Sequence, residues 1–243
     1  MIKNALKAYL FDINSLNEES FNRLLLSVKN YRKEKIAKLS LQKSKYLSLA
    51  VELLIRKACE DFGIDYLKEE IVLNEFGKPS FKSSKYFFNT SHSGQYALCV
   101  ISDVEVGCDI EEIKEYKPRV AERFFSDKEN LYINVSEDKN DMFFRIWTLK
   151  ESYMKCIGKG FAEPISSFEL EFKDNDIVIR EKDEFHFIES KYDNYRISIC
   201  LKTKEEYDLP NISLIEFNWY HLYIWKLDRY YLYYLLLHSH LVH

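Results

Sequence analysis

The sequence predicts an α+β protein built from two similar subdomains, each an antiparallel sheet with a long helix. In both halves of the chain, helical segments are followed by a meander of short strands separated by turn residues. With 243 residues and 47% hydrophobic residues, the chain is long enough to bury a core. No repeat at a fixed period is visible, so the duplication is a hypothesis about structure. We place the halves at residues 1–103 and 104–218, followed by an aromatic-rich tail at 219–243.

In the first half, "KAYLFDI" predicts a strand and residues 16–26 predict a short helix. Residues 31–62 predict a long helical region, broken once, which ends at Gly63 because glycine suits a left-handed helix stop. "IVLNEFGKPSF" predicts two strand ends around a turn at Gly77 and Pro79.

"KYFFNTSHSGQYALCVISDVEVGCDIEEI" predicts three strands. A polar turn at residues 89–94 is expected between the first two, and Ser102 and Asp103 form the next tight turn. A charged helix around residues 120–125 follows. After a second long helix, "FELEFKDNDIVIREKDEFHFIESKYDNYRISICL" predicts a meander of short strands.

The second long helix, residues 141–157, has Asn140 or Asp141 as its cap and Gly158 as its stop. A helical spacing of about 100° per residue gathers its apolar side chains on one arc. These are Phe143, Ile146, Trp147, Met154 and Ile157, with Phe144 at the edge. The far side or its border holds Arg145, Thr148, Ser152 and Lys155.

Lys150 and Glu151 fall inside the apolar arc of this helix. A buried unpaired charge is costly, so each requires a partner, a ligand or access to water. A structural ion pair with another element, or snorkelling at the edge of the arc, is the simplest explanation. Binding of a ligand is the other.

Composition limits the class of function. The net charge is −4, which does not favour a nucleic-acid partner. The five cysteines lack metal or disulfide spacing, which indicates a reducing compartment such as the cytoplasm. The N-terminus does not read as a signal peptide, and no apolar run reaches the ~18 residues of a membrane span. The tail fits a helix that packs on the protein or on a second copy, or a segment with no fixed role. Metal binding by His238, His240 and His243 is the remaining alternative.

In "VEVGCDIEE", apolar and polar residues alternate, so Asp109 and Glu111 project from one face of a strand. Two neighbouring carboxylates repel each other unless a cation lies between them, and hard oxygen ligands suit magnesium. Gly107 on the same face leaves room for something large. The alternative is a solvated polar face of an antiparallel sheet.

Three basic or polar segments suit phosphate. "FNTSHSGQY" offers hydroxyls, backbone N–H groups and His92, although an ordinary hairpin loop has the same composition. Lys78 is held between a glycine and a proline in "EFGKPSF", or is a solvated turn lysine. The basic run of Arg32, Lys33, Lys35 and Lys38 suits phosphate too, or is a solvated helix face.

The segments "FGKP", "FNTSHSG", "GCDIEE" and "WTLKESYMKCIGKG", in this order and spacing, closely resemble the Sfp-type 4'-phosphopantetheinyl transferases. The resemblance implies a pseudo-dimer of two α+β halves with coenzyme A bound between them. It implies magnesium-dependent transfer of phosphopantetheine from coenzyme A to a carrier-protein serine, with release of adenosine 3',5'-bisphosphate. It covers the motifs from about residue 31 to 160 and excludes the tail.

The resemblance also assigns residues. Asp109, Glu111 and Glu151 match the magnesium carboxylates, Lys155 matches the lysine that reaches the pyrophosphate, and His92 joins Glu151 and Lys155 as a catalytic group. Contacts with coenzyme A are implied for a larger set. This set is Arg32, Lys35, Ser48, Phe76, Gly77, Lys78, Pro79, Ser80, Phe81, Ser91, His92, Ser93, Gly94, Asp109, Glu151 and Lys155. Leu47 stands where the family often has an arginine, and Lys45 lies two residues earlier.

Some assignments remain open at this point. Glu151 is a metal ligand, the general base for the serine proton, or both. Lys150 is an ion pair between the halves or a contact with the carrier. We expect a cytoplasmic monomer that binds an acyl, peptidyl or polyketide carrier protein transiently. One alternative is a non-catalytic module that binds coenzyme A or a carrier. Another magnesium-dependent phosphotransferase is disfavoured because no glycine-rich phosphate loop is present.

Overall fold

The computed structural model describes residues 5–173, 176–208, 210 and 212–215. The predicted tail, residues 219–243, lies outside the described residues. The helices are α1 (Glu18–Leu25), α2 (Asn30–Ala37), α3 (Gln42–Asp61), α4 (Pro118–Phe124), α5 (Asp127–Val135) and α6 (Lys139–Ile157). The strands are β1 (Leu6–Asp12), β2 (Ile71–Leu73), β3 (Pro79–Phe81), β4 (Phe87–Ser93), β5 (Tyr96–Ser102), β6 (Val106–Glu112), β7 (Leu170–Lys173), β8 (Asp176–Ile179), β9 (Phe185–Tyr192), β10 (Tyr195–Lys202) and β11 (Ile212–Leu214).

The predicted α+β class with antiparallel sheets is confirmed, and the elements form four layers. Helix α3 covers one face of a sheet with strand order β11-β1-β5-β4. A second sheet, β6-β10-β9, is covered on its outer face by α6. The inner faces of the two sheets pack together, with Leu10, Leu98 and Val100 against Cys108, Ile110 and Ile199. The most buried apolar layer therefore lies between the two predicted halves.

Strand β11 departs from a simple two-half arrangement. It pairs in parallel with β1, so that Ala8 lies opposite Ile212, while every other strand pair is antiparallel among the described residues. Ile215 extends this contact by donating its N–H to the carbonyl of Leu10 at 2.8 Å. The chain after the second sheet thus returns to the edge of the first sheet.

The glycines after helices α3 and α6 end these helices as the sequence predicted. The predicted break in the long helical region falls between α2 and α3, and Gly63 after α3 has a φ of +67°. Because that left-handed conformation strains residues with a Cβ, glycine is the natural residue there. Gly158 ends α6 in the same way, with a φ of +66°, and Asp138 rather than Asn140 or Asp141 caps its start.

Two local predictions are wrong. The segment at residues 89–94, expected as a polar turn, is the second half of β4, and the turn is only Gly94 and Gln95. Its serines, histidine and threonine alternate between two faces, as strand residues do. Helix α5 was not anticipated; it begins with a capping box in which Ser126 and Glu129 bond each other's backbone N–H groups.

The far side of α6 is also different from the prediction. Thr148 and Ser152, expected on the outer side or its border, are fully buried. They face the second sheet, where the Thr148 and Ser198 hydroxyls lie 2.8 Å apart. Helix α6 is therefore buried on two sides, one apolar and one lined with small polar residues. No helix within the described part of the chain is long and apolar enough to cross a membrane.

Candidate functional site

Strands β4 and β6 meet edge to edge without a backbone ladder, and side chains of β4 bridge them. The Asn89 amide oxygen accepts from the N–H of Cys108 at 2.9 Å, and the Ser93 hydroxyl accepts from the N–H of Glu112 at 3.2 Å. Since β6 pairs with β10 on its other side, these bonds supply partners that a neighbouring strand would otherwise supply. We call this line of contact the β4–β6 seam.

The seam orients the two carboxylates of β6. Ser91 donates to Asp109 Oδ1 at 2.7 Å, and Ser93 donates to Glu111 Oε2 at 2.6 Å. The predicted shared face of Asp109 and Glu111 is thus lined by the hydroxyls of the "SHS" segment. Asn89 was missed as a functional residue because its segment was interpreted as a turn; strand alternation would have grouped it with Ser91 and Ser93.

Helix α6 lies directly on β6, and Gly107 permits the approach. A Cβ at residue 107 would lie 2.1 Å from the carbonyl oxygen of Ser152 and 2.2 Å from the N of Cys156. The room that Gly107 leaves is therefore filled by the backbone of α6, not by a ligand as the sequence suggested. This contact fixes the height of Glu151 and Lys155 above β6.

Lys155 reaches from α6 to the seam. Its ammonium donates to Asp109 Oδ1 at 2.6 Å and to the Ser91 hydroxyl at 3.1 Å. Burial lowers the pKa of Lys155, but the neighbouring groups, led by the carboxylate of Asp109 and including Glu151, together outweigh burial, so the pKa is raised. The other carboxylate oxygen, Asp109 Oδ2, is buried and has no hydrogen-bond partner among the residues that the structure describes. A buried acceptor without a partner indicates a place for a donor or a cation.

Glu151 and Glu111 carry unfavourable charge in this environment. Burial raises the pKa of Glu151, and the negative charge of Asp109 raises it further. Burial likewise raises the pKa of Glu111, with Asp109 and Glu151 adding to the effect. Within residues 5–173, 176–208, 210 and 212–215, however, no group of three or more His, Cys, Asp and Glu side chains is gathered closely enough to hold a metal ion.

Lys150 has a purely internal partner. Its side chain is fully buried and donates to both carboxylate oxygens of Glu129, at 2.8 and 2.9 Å, and to the carbonyl of Phe168. Both members of the pair belong to the second half, so the predicted ion pair between halves is wrong. A contact with a carrier is excluded by burial. The partner of Lys150 was not predicted because Glu129 lies on α5, the helix that was not anticipated.

The residues of the first half that were predicted to bind phosphate lie on α2, α3 and β4. Arg32 donates through Nε to the buried carboxylate of Glu52 at 2.8 Å, and its Nη1 lies 3.4 Å from the Ser48 hydroxyl. His92 is exposed on the α3 side of β4. Partial desolvation lowers the pKa of His92, and the positive charges of Lys155 and Lys35 lower it further. Glu52 was not singled out from the sequence.

A cavity of about 350 Å³ opens beside the seam. It is lined from the first half by Phe76, Lys78, Pro79, Asn89 and Thr90, and from α6 and the residues after it by Glu151, Met154, Lys155, Gly158 and Gly160. Its lining is mostly apolar, and its volume is within the range of small-molecule sites. A second cavity of about 450 Å³ lies at the far end of the seam, beside Gly94, Glu112 and Tyr195.

The turn between β2 and β3 carries Lys78, the cation predicted to bind phosphate, and it forms hydrogen bonds to the end of α6. The Lys78 ammonium donates to the carbonyl of Cys156 at 2.6 Å and to that of Val106 at 3.2 Å. Asn74 donates through Nδ2 to the carbonyl of Gly158 at 2.8 Å. Burial lowers the pKa of Lys78.

Comparisons with known proteins agree with the motifs. Residues 105–200 match the family model of the 4'-phosphopantetheinyl transferase superfamily. The 4'-phosphopantetheinyl transferase gsp of Aneurinibacillus migulanus is 34% identical over 77% of this chain and 81% of its own length. A 4'-phosphopantetheinyl transferase of Bacillus subtilis is 31% identical over 74% of this chain and 84% of its own length. The 4'-phosphopantetheinyl transferase Sfp of Bacillus subtilis strain 168 is 27% identical over 70% of this chain and 78% of its own.

Proposed function

This chain belongs to the 4'-phosphopantetheinyl transferase superfamily, and we propose that it transfers the 4'-phosphopantetheine group of coenzyme A to a carrier-protein serine, releasing adenosine 3',5'-bisphosphate. In this reaction the serine oxygen attacks the β-phosphorus of coenzyme A and a new P–O bond forms. The bond from that phosphorus to the oxygen of the nucleotide 5'-phosphate breaks. The serine proton passes to a base, and negative charge develops on the leaving nucleotide.

The observation that carries the proposal is the contact of Lys155 with Asp109 and Ser91 across the β4–β6 seam. A cation, a hydroxyl and an unsatisfied carboxylate oxygen converge there, beside a cavity lined by both predicted halves. Lys155 binds the pyrophosphate and stabilises the charge on the leaving group, while His92 donates to a phosphate oxygen. Both roles match the family motif residue by residue.

Three carboxylates suit a magnesium ion in this site. Asp109 Oδ2 has no hydrogen-bond partner among the described residues, and the negative charge of Asp109 raises the pKa of Glu111 and of Glu151. A hard divalent cation would bind the unpaired oxygen and reduce the repulsion between these carboxylates. When bound, magnesium neutralises charge on the phosphates of coenzyme A. Asp109, Glu111 and Glu151 are the residues that would hold it, once their side chains had moved closer together than they lie in this structure. Lys155 provides positive charge among these carboxylates before the ion binds.

Glu151 is our candidate base for the serine proton. A base works best when its pKa lies near the working pH, and burial beside Asp109 moves the pKa of Glu151 in that direction. The side chain also lines the cavity next to Lys155. Glu151 thus holds the position from which a serine approaching the cavity could be deprotonated.

Coenzyme A would lie along the cavity and the seam. We assign residues 76–81 to the adenine side; of these, Phe76, Lys78 and Pro79 line the cavity, while Phe81 packs in the core. Gly94 closes the turn after Ser91, His92 and Ser93. Arg32, Lys35 and Ser48 add donors on the α2 and α3 side. The Arg32 guanidinium is oriented by Glu52, whose carboxylate also accepts from the Tyr31 and Tyr66 hydroxyls.

Mass spectrometry of a panel of apo acyl, peptidyl and polyketide carriers incubated with coenzyme A and magnesium tests the function. We expect one or more carriers to gain the mass of phosphopantetheine, with loss of the gain when the acceptor serine is replaced by alanine. Glu137→Gln, a change at an exposed residue before α6, is the control for a Glu-to-Gln change at Glu151 and should retain activity. No mass gain on any carrier in the panel would contradict the proposal.

We also propose a cytoplasmic monomer. All five cysteines are buried and free, which suits a reducing compartment. The division at residues 103 and 104 remains a prediction, and sedimentation at working concentration would test the monomer.

A further inference from the structure

The turn between β2 and β3 is built to hold the C-terminal end of α6. Asn74 Oδ1 accepts from the N–H groups of Phe76 and Lys78, at 3.0 and 2.8 Å, which fixes the turn internally. Gly77 has a φ of +87°, a conformation that glycine adopts without strain. The turn therefore presents Asn74 Nδ2 and the Lys78 side chain in a defined direction.

Both groups bind carbonyls at the end of α6. The last carbonyls of a helix have no partner within the helix and carry its partial negative charge. The Lys78 ammonium donates to the carbonyl of Cys156 at 2.6 Å, and Asn74 Nδ2 donates to that of Gly158 at 2.8 Å. A lysine ammonium at this end of a helix satisfies an acceptor and also interacts favourably with the helix dipole.

The same ammonium also binds β6. It donates to the carbonyl of Val106 at 3.2 Å, beside Gly107, where α6 lies directly on the strand. The stem of Lys78 reaches these carbonyls by passing over Gly158, where a Cβ would lie 2.5 Å from Lys78 Cδ. One charge from the first half therefore joins the strand that carries Asp109 to the helix that carries Glu151 and Lys155.

We propose that Lys78 is a positioning residue that locks the end of α6 onto β6, so that Glu151 and Lys155 stand in register with Asp109. This inference rests on the proposed function. It differs from the phosphate contact implied by the sequence resemblance, because two of the three ammonium donors are already used by backbone carbonyls. Lys155 is one residue before Cys156, so a shift of the helix end is transmitted directly to it.

Steady-state transfer kinetics with Lys78→Met provide the test. Methionine keeps most of the stem but removes the charge and the donors. We expect kcat to fall by about 10–100-fold, the scale associated with sub-ångström to 1 Å misplacement of catalytic groups. The KM for coenzyme A should change by less than about threefold, and the same fall in kcat should appear with 3'-dephospho-coenzyme A. Lys78→Arg, which retains donors, should restore part of kcat.

Lys82→Met is the matched control, because Lys82 follows the same hairpin and its ammonium forms an exposed ion pair with Glu70. It should keep wild-type kinetics. A raised KM for coenzyme A with unchanged kcat would overturn the inference and favour a phosphate contact. Wild-type kinetics for Lys78→Met would overturn it as well.

Amide hydrogen exchange separates this inference from the proposed function. In Lys78→Met, residues 154–158 should exchange faster than in the wild type, while the middle of α3 should not change. This measurement does not depend on activity, so it remains informative even when no carrier is modified. If Lys78→Met does not fold, Lys78→Gln, which removes the charge and shortens the reach toward the Cys156 carbonyl, is measured against the wild type. Faster exchange confined to residues 154–158 supports the inference, and unchanged exchange there contradicts it.

Discussion

Lys150 and Glu129 form an ion pair from which water is excluded, so the two side chains depend on each other. Both side chains have an exposed fraction of 0%. Lys150→Met leaves the Glu129 carboxylate with only two backbone donors, the N–H groups of Leu170 and Ser126. We expect the free energy of unfolding to fall by about 3–5 kcal/mol, measured by urea denaturation.

The double variant Lys150→Met with Glu129→Gln is the control for this pair. It removes both charges while the glutamine oxygen still accepts from the N–H of Leu170. Because a buried pair costs desolvation on both members, we expect the double variant to be more stable than Lys150→Met alone. A double variant as unstable as the sum of both single changes would show that the two residues act independently.

Glu151→Gln should separate stability from activity. The folded state raises the pKa of Glu151 above its ordinary value of 4.5, so the stability that this group contributes is lost as pH rises through the folded pKa. The glutamine variant has no such loss. At pH 7 the metal-free variant should therefore be at least as stable as the wild type, and this advantage should disappear below about pH 4.5 in paired denaturation experiments.

The same variant should lose catalysis. Transfer at saturating magnesium and coenzyme A should fall by about two orders of magnitude or more, the scale of general acid–base catalysis. Asp109→Asn should weaken the metal dependence of transfer. A folded Glu151→Gln protein with near-normal transfer would contradict the role of Glu151 as base or metal carboxylate.

At the residue scale, the sequence located the charges but not their partners. Helical spacing was sufficient to show that Lys150 and Glu151 lie within an apolar arc. The two solutions differ, since Lys150 pairs with a buried glutamate and Glu151 lines a cavity. Whether a buried charge pairs with another residue or faces a cavity depends on contacts between distant segments of the chain. The helical period of α6 carries no information about those contacts.

At the element scale, the packing of α6 on β6 depends on a single missing side chain. Gly107→Ala would place a methyl group 2.1 Å from a backbone oxygen of α6, which no side-chain rotation can relieve. We expect a loss of stability of about 1–3 kcal/mol or more by thermal and urea unfolding, and a parallel fall in transfer. The fall in transfer follows because Glu151 and Lys155 move with the helix.

Gly63→Ala is the matched control for this change. Gly63 has a φ of +67° and nothing within 4 Å of a built Cβ. Alanine there should cost about 1–2 kcal/mol through backbone strain, with transfer unaffected at temperatures where the protein is folded. Equal transfer in the two folded variants would show that close packing at residue 107 is not needed for the site.

The elements themselves differ in how far the sequence predicts them. The long helices and the apolar strands were predictable because their periods are sustained and their ends carry glycine signals. Strand β4 was not, because the composition of "NTSHSG" is that of a turn. Its polar residues are used in β4 to bond the backbone and carboxylates of β6, a tertiary role that overrides local propensity.

At the scale of the whole molecule, the return of β11 to the first sheet predicts a contrast between two truncations. A chain ending after Asn218 keeps β11, and no residue matched to the family motifs lies beyond it. Its transfer activity should be close to that of the full chain. A chain ending after Pro210 lacks β11 and the contacts of Ile212 and Ile215, and should lose about 2–4 kcal/mol of stability. Equal unfolding midpoints for the two truncations would contradict this role of β11.

The overall arrangement was predictable in class but not in its layers. Two runs of helices and strands indicated two α+β halves. That the two sheets pack face to face, with an apolar layer between them, depends on strands β5, β6 and β10 being apolar on the faces that meet. Strand β5 is buried on both faces, and an uninterrupted apolar strand does not indicate which neighbour covers each face.

The pairing of β1 with β11 also sets an order of events during translation. Of the four strands in its sheet, β1 leaves the ribosome first and its parallel edge partner β11 leaves last. Until residues 212–214 emerge, the outer edge of β1 offers unpaired N–H and C=O groups, the kind of edge at which nascent chains join one another. Such a long-range pairing forms late. A ribosome that stalls before residue 212 therefore releases a chain that is open to aggregation at its first strand.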